Sequence, residues 1–339
     1  MRAEFDTEEE MNRALSTWYC ASRLATIAVA IACFAAPAQA QQFPNRAGRM
    51  IVPYPAGGTT DVLARRVAEA LRAKFGVAFI VENRPGAQTQ IGVQELLRAP
   101  ADGHTLLMAT ASTMSLNPVL IPKLTYRVDQ LAPVALVAKV PFAIDAALNF
   151  PPNSMAELIA HARANPGKVN IGTTGVGTSG HLIVEMFAAA AGISVLPIHY
   201  KGGAPAIQDI LGGHVHLYFD GATSSVPHFQ NKRLKILGVT SEKRMAALPT
   251  VPSVVEAGLA SAVSYSWYGV VARAGTPEET VTRLNQVINE YIATPEMQEQ
   301  LKNDAALPGD LSAAQFSKMI ADETTEYRRI VAPLNIQIE

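Results

Sequence analysis

The chain has little cysteine, almost no net charge and no long apolar run, and each shortage closes off a class of function. Its only cysteines are Cys20 and Cys33, both near the N-terminus. If residues 1–40 are removed on export, the remainder has no thiol, and neither disulfide nor cysteine chemistry is open to it. The 28 Lys and Arg nearly cancel the 29 Asp and Glu. That balance offers no electrostatic footprint for nucleic acid. Loss of Arg2, Arg13 and Arg23 with five acidic residues leaves 25 against 24, a formal charge of +1. The apolar run Leu24–Ala36 falls well short of the roughly 20 residues of a membrane span. No tandem repeat or low-complexity segment is present. A Gly-Lys-[Ser/Thr] phosphate loop, a Gly-x-Ser-x-Gly elbow and His-Glu-x-x-His spacing are all missing.

What is present begins with an address. Residues 1–10 are acidic, a poor start for secretion, but from Met11 the pattern changes. Arg13 and Arg23 precede the apolar run, and Ala38-Gln39-Ala40 invites cleavage before Gln41. Translation from Met11 and export to a bacterial periplasm are expected. Lipoprotein cleavage before Cys33 is the weaker alternative, because Ala30 stands where a larger aliphatic residue is usual.

Beyond the address, strand-like runs alternate with helical periods. Met50–Tyr54, Ala78–Glu82 and Thr105–Thr110 read as strands, and Asp61–Phe75 and Ile91–Arg98 as helices. A second series follows the apolar stretch Val134–Leu148. It holds helices at Ser154–Asn165 and His181–Ala191, and strands at Val169–Thr173, Val195–Tyr200, Val215–Asp220 and Leu234–Thr240. From Pro277 the chain reads as largely helical. The alternation predicts parallel α/β sheets with helices on both faces, arranged as two lobes. Such sheets bind ligands outside the carboxyl ends of their strands.

Two glycine-rich strand-to-helix junctions carry the functional signal. The first is Tyr54-Pro-Ala-Gly-Gly-Thr-Thr-Asp61. Gly57 and Gly58 let the backbone approach a ligand, Thr59 or Thr60 can cap the helix, and Asp61 can pair with Arg65. An ordinary β–α turn is the alternative. The second is Thr173-Thr-Gly-Val-Gly-Thr-Ser-Gly-His181, where hydroxyls and amides again meet a helix start. His181 there reads as a satisfied helix-start histidine before a catalytic base. Lys201, in His199-Tyr-Lys-Gly-Gly203, is either a solvated loop lysine or a source of positive charge for the cleft. Asp220, in Tyr218-Phe-Asp220, either caps a helix or faces a ligand amine or hydroxyl. His214 and His216 would share a strand face, but no third metal ligand accompanies them.

Taken together, these segments resemble the periplasmic solute-binding proteins of tripartite tricarboxylate transporters, the Bug family. The likeness runs through Pro53-Tyr-Pro-Ala-Gly-Gly, Glu82-Asn-Arg-Pro-Gly-Ala87, Asp102-Gly-His-Thr-Leu-Leu107, Ala164-Asn-Pro-Gly-Lys168 and Gly175-Val-Gly-Thr-Ser-Gly-His-Leu182. It continues through Tyr200-Lys-Gly-Gly-Ala-Pro205, Leu248-Pro-Thr-Val-Pro252, Glu256-Ala-Gly258, Ser266-Trp-Tyr-Gly269 and Ala274-Gly-Thr-Pro277. The resemblance implies an α/β two-lobed periplasmic-binding-protein (Venus flytrap) fold, each lobe a sheet flanked by helices, with two crossover strands. Lobe one would be 41–143 plus 267–339 and lobe two 144–266, with crossings near Val140–Leu148 and Ser264–Tyr268. The implied ligand-binding residues are Tyr54, Ala56, Gly57, Gly58, Thr59, Ser112, Thr173, Thr178, Ser179, His181, Lys201, Gly202 and Asp220. One departure bears on the pocket: Gln88 and Thr89 put side chains where the family commonly has glycine.

The implied activity is capture of a small carboxylate and its delivery to membrane permease subunits. The protein is expected to be a monomer with no cofactor, no metal, no catalytic residue and no nucleic-acid partner. A carboxylate would rest on the amides of Gly57–Thr59, with donors from Thr173, Thr178 and Ser179 opposite. Hydrogen bonds to a charged group contribute about 1.5–3 kcal/mol each and a helix terminus about 0.3–1 kcal/mol. Three or four such contacts reach the roughly 8 kcal/mol of micromolar binding. A receptor for a sensor kinase and an exported α/β hydrolase or lyase are the alternatives.

Overall fold

The structure is a computed structural model that describes residues 43–332, together with Met11. The export features from Arg13 to Gln41, both cysteines among them, lie outside the described residues. The architecture is the expected one, two sheets flanked by helices and joined by two crossover strands.

The N-terminal sheet forms from β1 (Gly48–Val52), α1 (Thr59–Phe75), β2 (Phe79–Asn83), α2 (Gln90–Arg98) and β3 (Thr105–Thr110). Strict alternation sorts its side chains to two faces. Met50, Val52, Leu106 and Met108 pack with Leu63, Val67 and Leu71 of α1. Ile51, Leu107 and Ala109 face the other way, onto Val93 and Leu96 of α2. Gly76 stops α1 with φ 73°, a left-handed cap that a side chain would strain. After β3 the chain makes a π-helical turn, Ser112–Leu116, that runs into the short α3 (Asn117–Leu120).

β4 (Leu131–Ala146) then crosses into the second sheet. That sheet is built from α4 (Met155–Ala164), β5 (Asn170–Thr173), α5 (Ser179–Ala191), β6 (Leu196–His199), α6 (Gly203–Leu211), β7 (Leu217–Gly221), α7 (Ala222–Gln230) and β8 (Lys235–Val239). β9 (Tyr265–Arg273) returns to the first sheet. The chain closes with α8 (Glu278–Ile292), α9 (Pro295–Asn303), the two-residue β10 (Leu307–Pro308) and α10 (Ala313–Val331).

The sheets are mixed rather than parallel, which corrects the simpler expectation. β1 pairs β2 and β3 in parallel, and β5 pairs β6 and β7 in parallel. The crossover strands run the other way: β9 is antiparallel to β3 and β4, and β4 is antiparallel to β7 and β8. A strand returning from the other sheet reaches the first one from the opposite end, so its direction is reversed.

The first crossing lies inside β4. Residues up to Pro141 pair with β9, and from Phe142 onward with β7. Pro141 has no N–H to donate and sits where the partner changes. Thr240 joins the two crossings. Its Oγ1 accepts from Phe142 N–H at 2.8 Å and donates to the Ser264 carbonyl at 2.7 Å. Its own N–H donates to the Phe142 carbonyl, and its carbonyl accepts from Ser264 N–H.

Candidate functional site

The carboxyl ends of β1, β3, β5 and β7 converge on one small cavity of about 40 Å³. Tyr54, Thr110, Thr174 and Asp220 come from those strand ends. Helix starts complete it: Gly58, Thr59 and Thr60 of α1, Ser112 of the π turn, Ser179 and Gly180 of α5, and Gly203 of α6. Each start presents amides without intrahelical partners and the positive end of a helix dipole. No Lys, Arg or His lines the cavity, so the donors it offers an anion are backbone amides and hydroxyls. A larger groove of about 640 Å³ runs past Lys139, Trp267 and Met319. Asp322, Glu323 and Glu326 also line it, a poor setting for an anion.

The first junction differs in detail from its expected form. Gly58 is the N-cap of α1, and neither threonine caps the helix with its side chain. Asp61 reaches back instead, accepting from Gly57 N–H at 3.1 Å. The Gly57 amide is therefore already taken, which corrects its place in an anion cradle. Arg65 forks onto Asp61 with two bonds of 3.0 Å, and Asn83 donates to it at 2.9 Å. Burial by itself would raise the Asp61 pKa, but these bonds outweigh it and hold the carboxyl below its ordinary value. Thr59, freed from capping, donates across to the Gly221 carbonyl at 3.3 Å and lies 3.3 Å from Ser224 Oγ.

The second junction meets the first through Ser112 and Ser179. Their hydroxyls are 2.8 Å apart, and Ser179 N–H donates to Ser112 Oγ at 3.0 Å. Thr178 caps α5, accepting from His181 N–H, and donates to the Gly175 carbonyl at 2.7 Å. Thr173 Oγ1 pairs with His199 Nδ1 at 2.8 Å. His181 Nδ1 accepts from Gly177 N–H at 3.1 Å, and burial pushes the pKa of this imidazole down.

Of the expected residues, Tyr54, Gly58, Thr59, Ser112, Ser179 and Asp220 line the cavity. Ala56, Gly57 and Lys201 are exposed beside it. Thr173, Thr178 and His181 brace the α5 loop from behind. Gly202 packs on Pro55, where a Cβ would come within 2.5 Å of Pro55 Cδ. Gln88 and Thr89 do not line the cavity. Thr89 is buried, and its Oγ1 accepts from Thr113 at 3.2 Å and from Asn117 at 3.3 Å.

Pro55, Thr60, Thr174, Gly180 and Gly203 join the lining as immediate neighbours of expected residues, and sequence reasoning missed Thr110, Phe142, Ser266 and Tyr268 altogether. Thr110 ends β3, so the strand-end rule could have found it. Ser266 and Tyr268 stand in the Ser266-Trp-Tyr-Gly269 motif but reach the cavity only because β9 returns beside β3 and β4. Tyr54 OH lies 3.2 Å from Thr110 Oγ1. Burial raises both the Tyr54 and Tyr268 pKa values, so each stays a neutral phenol able to donate.

His216 precedes β7, where its Nδ1 accepts from Asn170 N–H at 3.0 Å, and it does not form a ligand pair with His214. Among the described residues no group of three or more His, Cys, Asp or Glu is placed to hold a metal ion. Nor is any described helix long and apolar enough to cross a membrane.

Two sheets, two crossover strands and a cleft ringed by helix starts define a two-lobed solute-binding protein of the periplasmic type. Residues 63–336 match the model of the tripartite tricarboxylate transporter family receptor, and the chain belongs to that family. It is 34% identical to protein BugT of Bordetella pertussis over 90% of this chain and 94% of that one. A solved protein of R. palustris with adipate is 31% identical, with a TM-score of 0.82 over 85% of this chain and 97% of that one. MatC of Rhodopseudomonas palustris with bound malate is 26% identical, with a TM-score of 0.79 over 85% and 100%. The family and these neighbours are binding and transport proteins.

Proposed function

We propose that this chain captures a small carboxylate in the periplasm by closing two lobes on it and hands it to the permease subunits of its transporter. Lobe one is 41–143 plus 267–339 and lobe two is 144–266, hinged where Thr240 joins the crossings. The protein is exported through its N-terminal segment and acts as a monomer.

The observation that carries this reading is the cavity itself, a basic-free pocket whose donors are helix starts and hydroxyls from both sheets. Adipate and malate in the related structures point to the same ligand class. One carboxylate rests on the open amides of α1, at Gly58 to Thr60. Ser112 adds a hydroxyl from the same lobe, and Ser179 and Gly180 close on it from the other. Neither side alone gathers enough charge-assisted bonds, so ligand favours the closed form that a permease can read. Ser112 and Ser179 have no His, Lys or Cys beside them in the lining, which leaves a hydrolase without a nucleophile-and-base pair.

A melting scan against a panel of mono-, di- and tricarboxylates tests the reading. A raised Tm with one acid, recovered unaltered by mass spectrometry, is the expected result. No shift with any acid, or conversion of the acid, overturns it.

A further inference from the structure

Asp220 is the single ionisable acid in the cavity lining, and no base accompanies it. It stands at the end of β7, 6% exposed, with Ser224 Oγ donating to its Oδ2. Gly203 faces the same oxygen: a Cβ there would lie 3.0 Å from Asp220 Oδ2 and from Tyr218 OH. A second carboxylate lies behind it. Asp145, fully buried in β4 beside Tyr218, accepts from Ser225 Oγ at 2.6 Å and has no partner for Oδ1. Tyr218 and Tyr268 pack around the pair as neutral phenols. The ligand thus meets two kinds of wall. Helix starts supply donors for an anion, and the Asp220 side presents an acceptor backed by another acid.

We infer that Asp220 sets the ligand class: the site takes a carboxylate that also carries a hydrogen-bond donor, an ammonium above a hydroxyl, in preference to an acid with carboxylates alone. A plain dicarboxylate turns only acceptors toward Asp220, so it either repels the ionised acid or forces a proton onto it in a site with little water. A hydroxyl replaces that repulsion with a hydrogen bond. An ammonium adds opposite charge where the protein supplies none, the stronger of the two arrangements. Burial of Asp220 raises its pKa, in keeping with a carboxylate that lacks a cation in the protein. The inference rests on the carboxylate clasp proposed above and adds the demand for a donor.

Calorimetry with succinate, malate and aspartate separates the two ideas, since these acids share a four-carbon dicarboxylate frame and differ in one group. The expected order is aspartate tightest and succinate weakest, with at least a tenfold spread, roughly one charge-assisted bond. Asp220→Asn is expected to lose about tenfold for aspartate and to keep or gain affinity for succinate. Equal affinities for the three acids, or an Asp220→Asn loss common to all three, overturn the donor demand and keep the clasp. No binding by any of them, nor by six-carbon acids of the same three kinds, overturns the clasp itself. If Asp220→Asn does not fold, the wild-type order decides alone.

Discussion

Ser112 Oγ accepts a hydrogen bond from the backbone of Ser179, at the first turn of α5 and 67 residues further along the chain. One serine follows a strand of the N-terminal sheet and the other follows a strand of the middle sheet. The pair is the shortest polar bridge across the cavity, and it stands where an anion's oxygen would meet the same helix start. Ser179→Ala removes a hydroxyl from the lining and is expected to weaken carboxylate binding by about tenfold. Thr178→Ala acts differently, because Thr178 is the cap of α5 and stays outside the lining. It should lower stability by about 1 kcal/mol in urea unfolding and leave affinity within about threefold. Calorimetry and denaturation on the two single variants separate a donor to ligand from a helix cap.

Gly202 has φ +117°, and its backbone packs on Pro55 of the opposite junction. Alanine there meets Pro55 Cδ at 2.5 Å in a backbone conformation that side chains rarely adopt. The backbone strain burdens either form, but the clash with Pro55 falls on the closed form alone. Gly202→Ala should therefore bind carboxylate at least about tenfold more weakly. Its radius of gyration with saturating ligand should exceed that of the wild type in X-ray scattering. An unchanged affinity would show that closure does not bring these two residues together.

Asp61 ties the first junction together through Gly57, Asn83 and Arg65. Arg65 is half exposed, so solvent screens the charge attraction, and the hydrogen bonds from Arg65, Asn83 and Gly57 carry the effect. Asp61→Asn is expected to cost about 1–2 kcal/mol at pH 7 in urea unfolding. The folded carboxyl titrates below its unfolded value near 3.8, so this stability is present above that pH. It is lost as the pH falls through the lower folded value. The difference between variant and wild type should therefore narrow only below pH 3.8.

Glu323 on α10 shows the opposite sign. It is largely buried, accepting from Trp267 Nε1–H at 2.6 Å, and lies 3.3 Å from Tyr327 OH. Burial raises its pKa above the ordinary 4.5, although the hydrogen bonds oppose the shift. The fold prefers the protonated acid, and that preference contributes fully below pH 4.5 and is lost as the pH rises through the folded value. Glu323→Gln keeps an acceptor for Trp267 and carries no charge. Its Tm should match the wild type near pH 4 and exceed it at pH 8, by calorimetric scan. A lower Tm at pH 8 would mean that the ionised acid is the form the fold favours.

Much of the fold could be read without coordinates. β3 begins and ends where its apolar run does, and α1 stops at Gly76 as a left-handed cap requires. Local chemistry decides such elements. α6 and α7 went unread: α6 opens at Gly203, behind the left-handed Gly202, and α7 carries Pro227 inside it. Glycine and proline signal turns at short range, and only packing against β5, β7 and the crossover strand holds these segments helical.

The site divides in the same way. Glycines and hydroxyls at the two junctions mark helix starts, because amides at such ends need partners wherever the chain goes. The sequence alone thus determined that helix starts with amides lacking intrahelical partners follow the glycines at Gly57–Thr59 and the hydroxyls at Thr178–Ser179. The folded structure decided the rest: Gly57 N–H turns to Asp61, Thr178 turns into its own loop, and Ser266 and Tyr268 arrive on a strand from the far end of the chain. The first two are settled within a single turn by which acceptor the local backbone brings within about 3 Å, and only the last by tertiary structure, through the pairing of β9 with β3 and β4, which spacing along a chain does not encode.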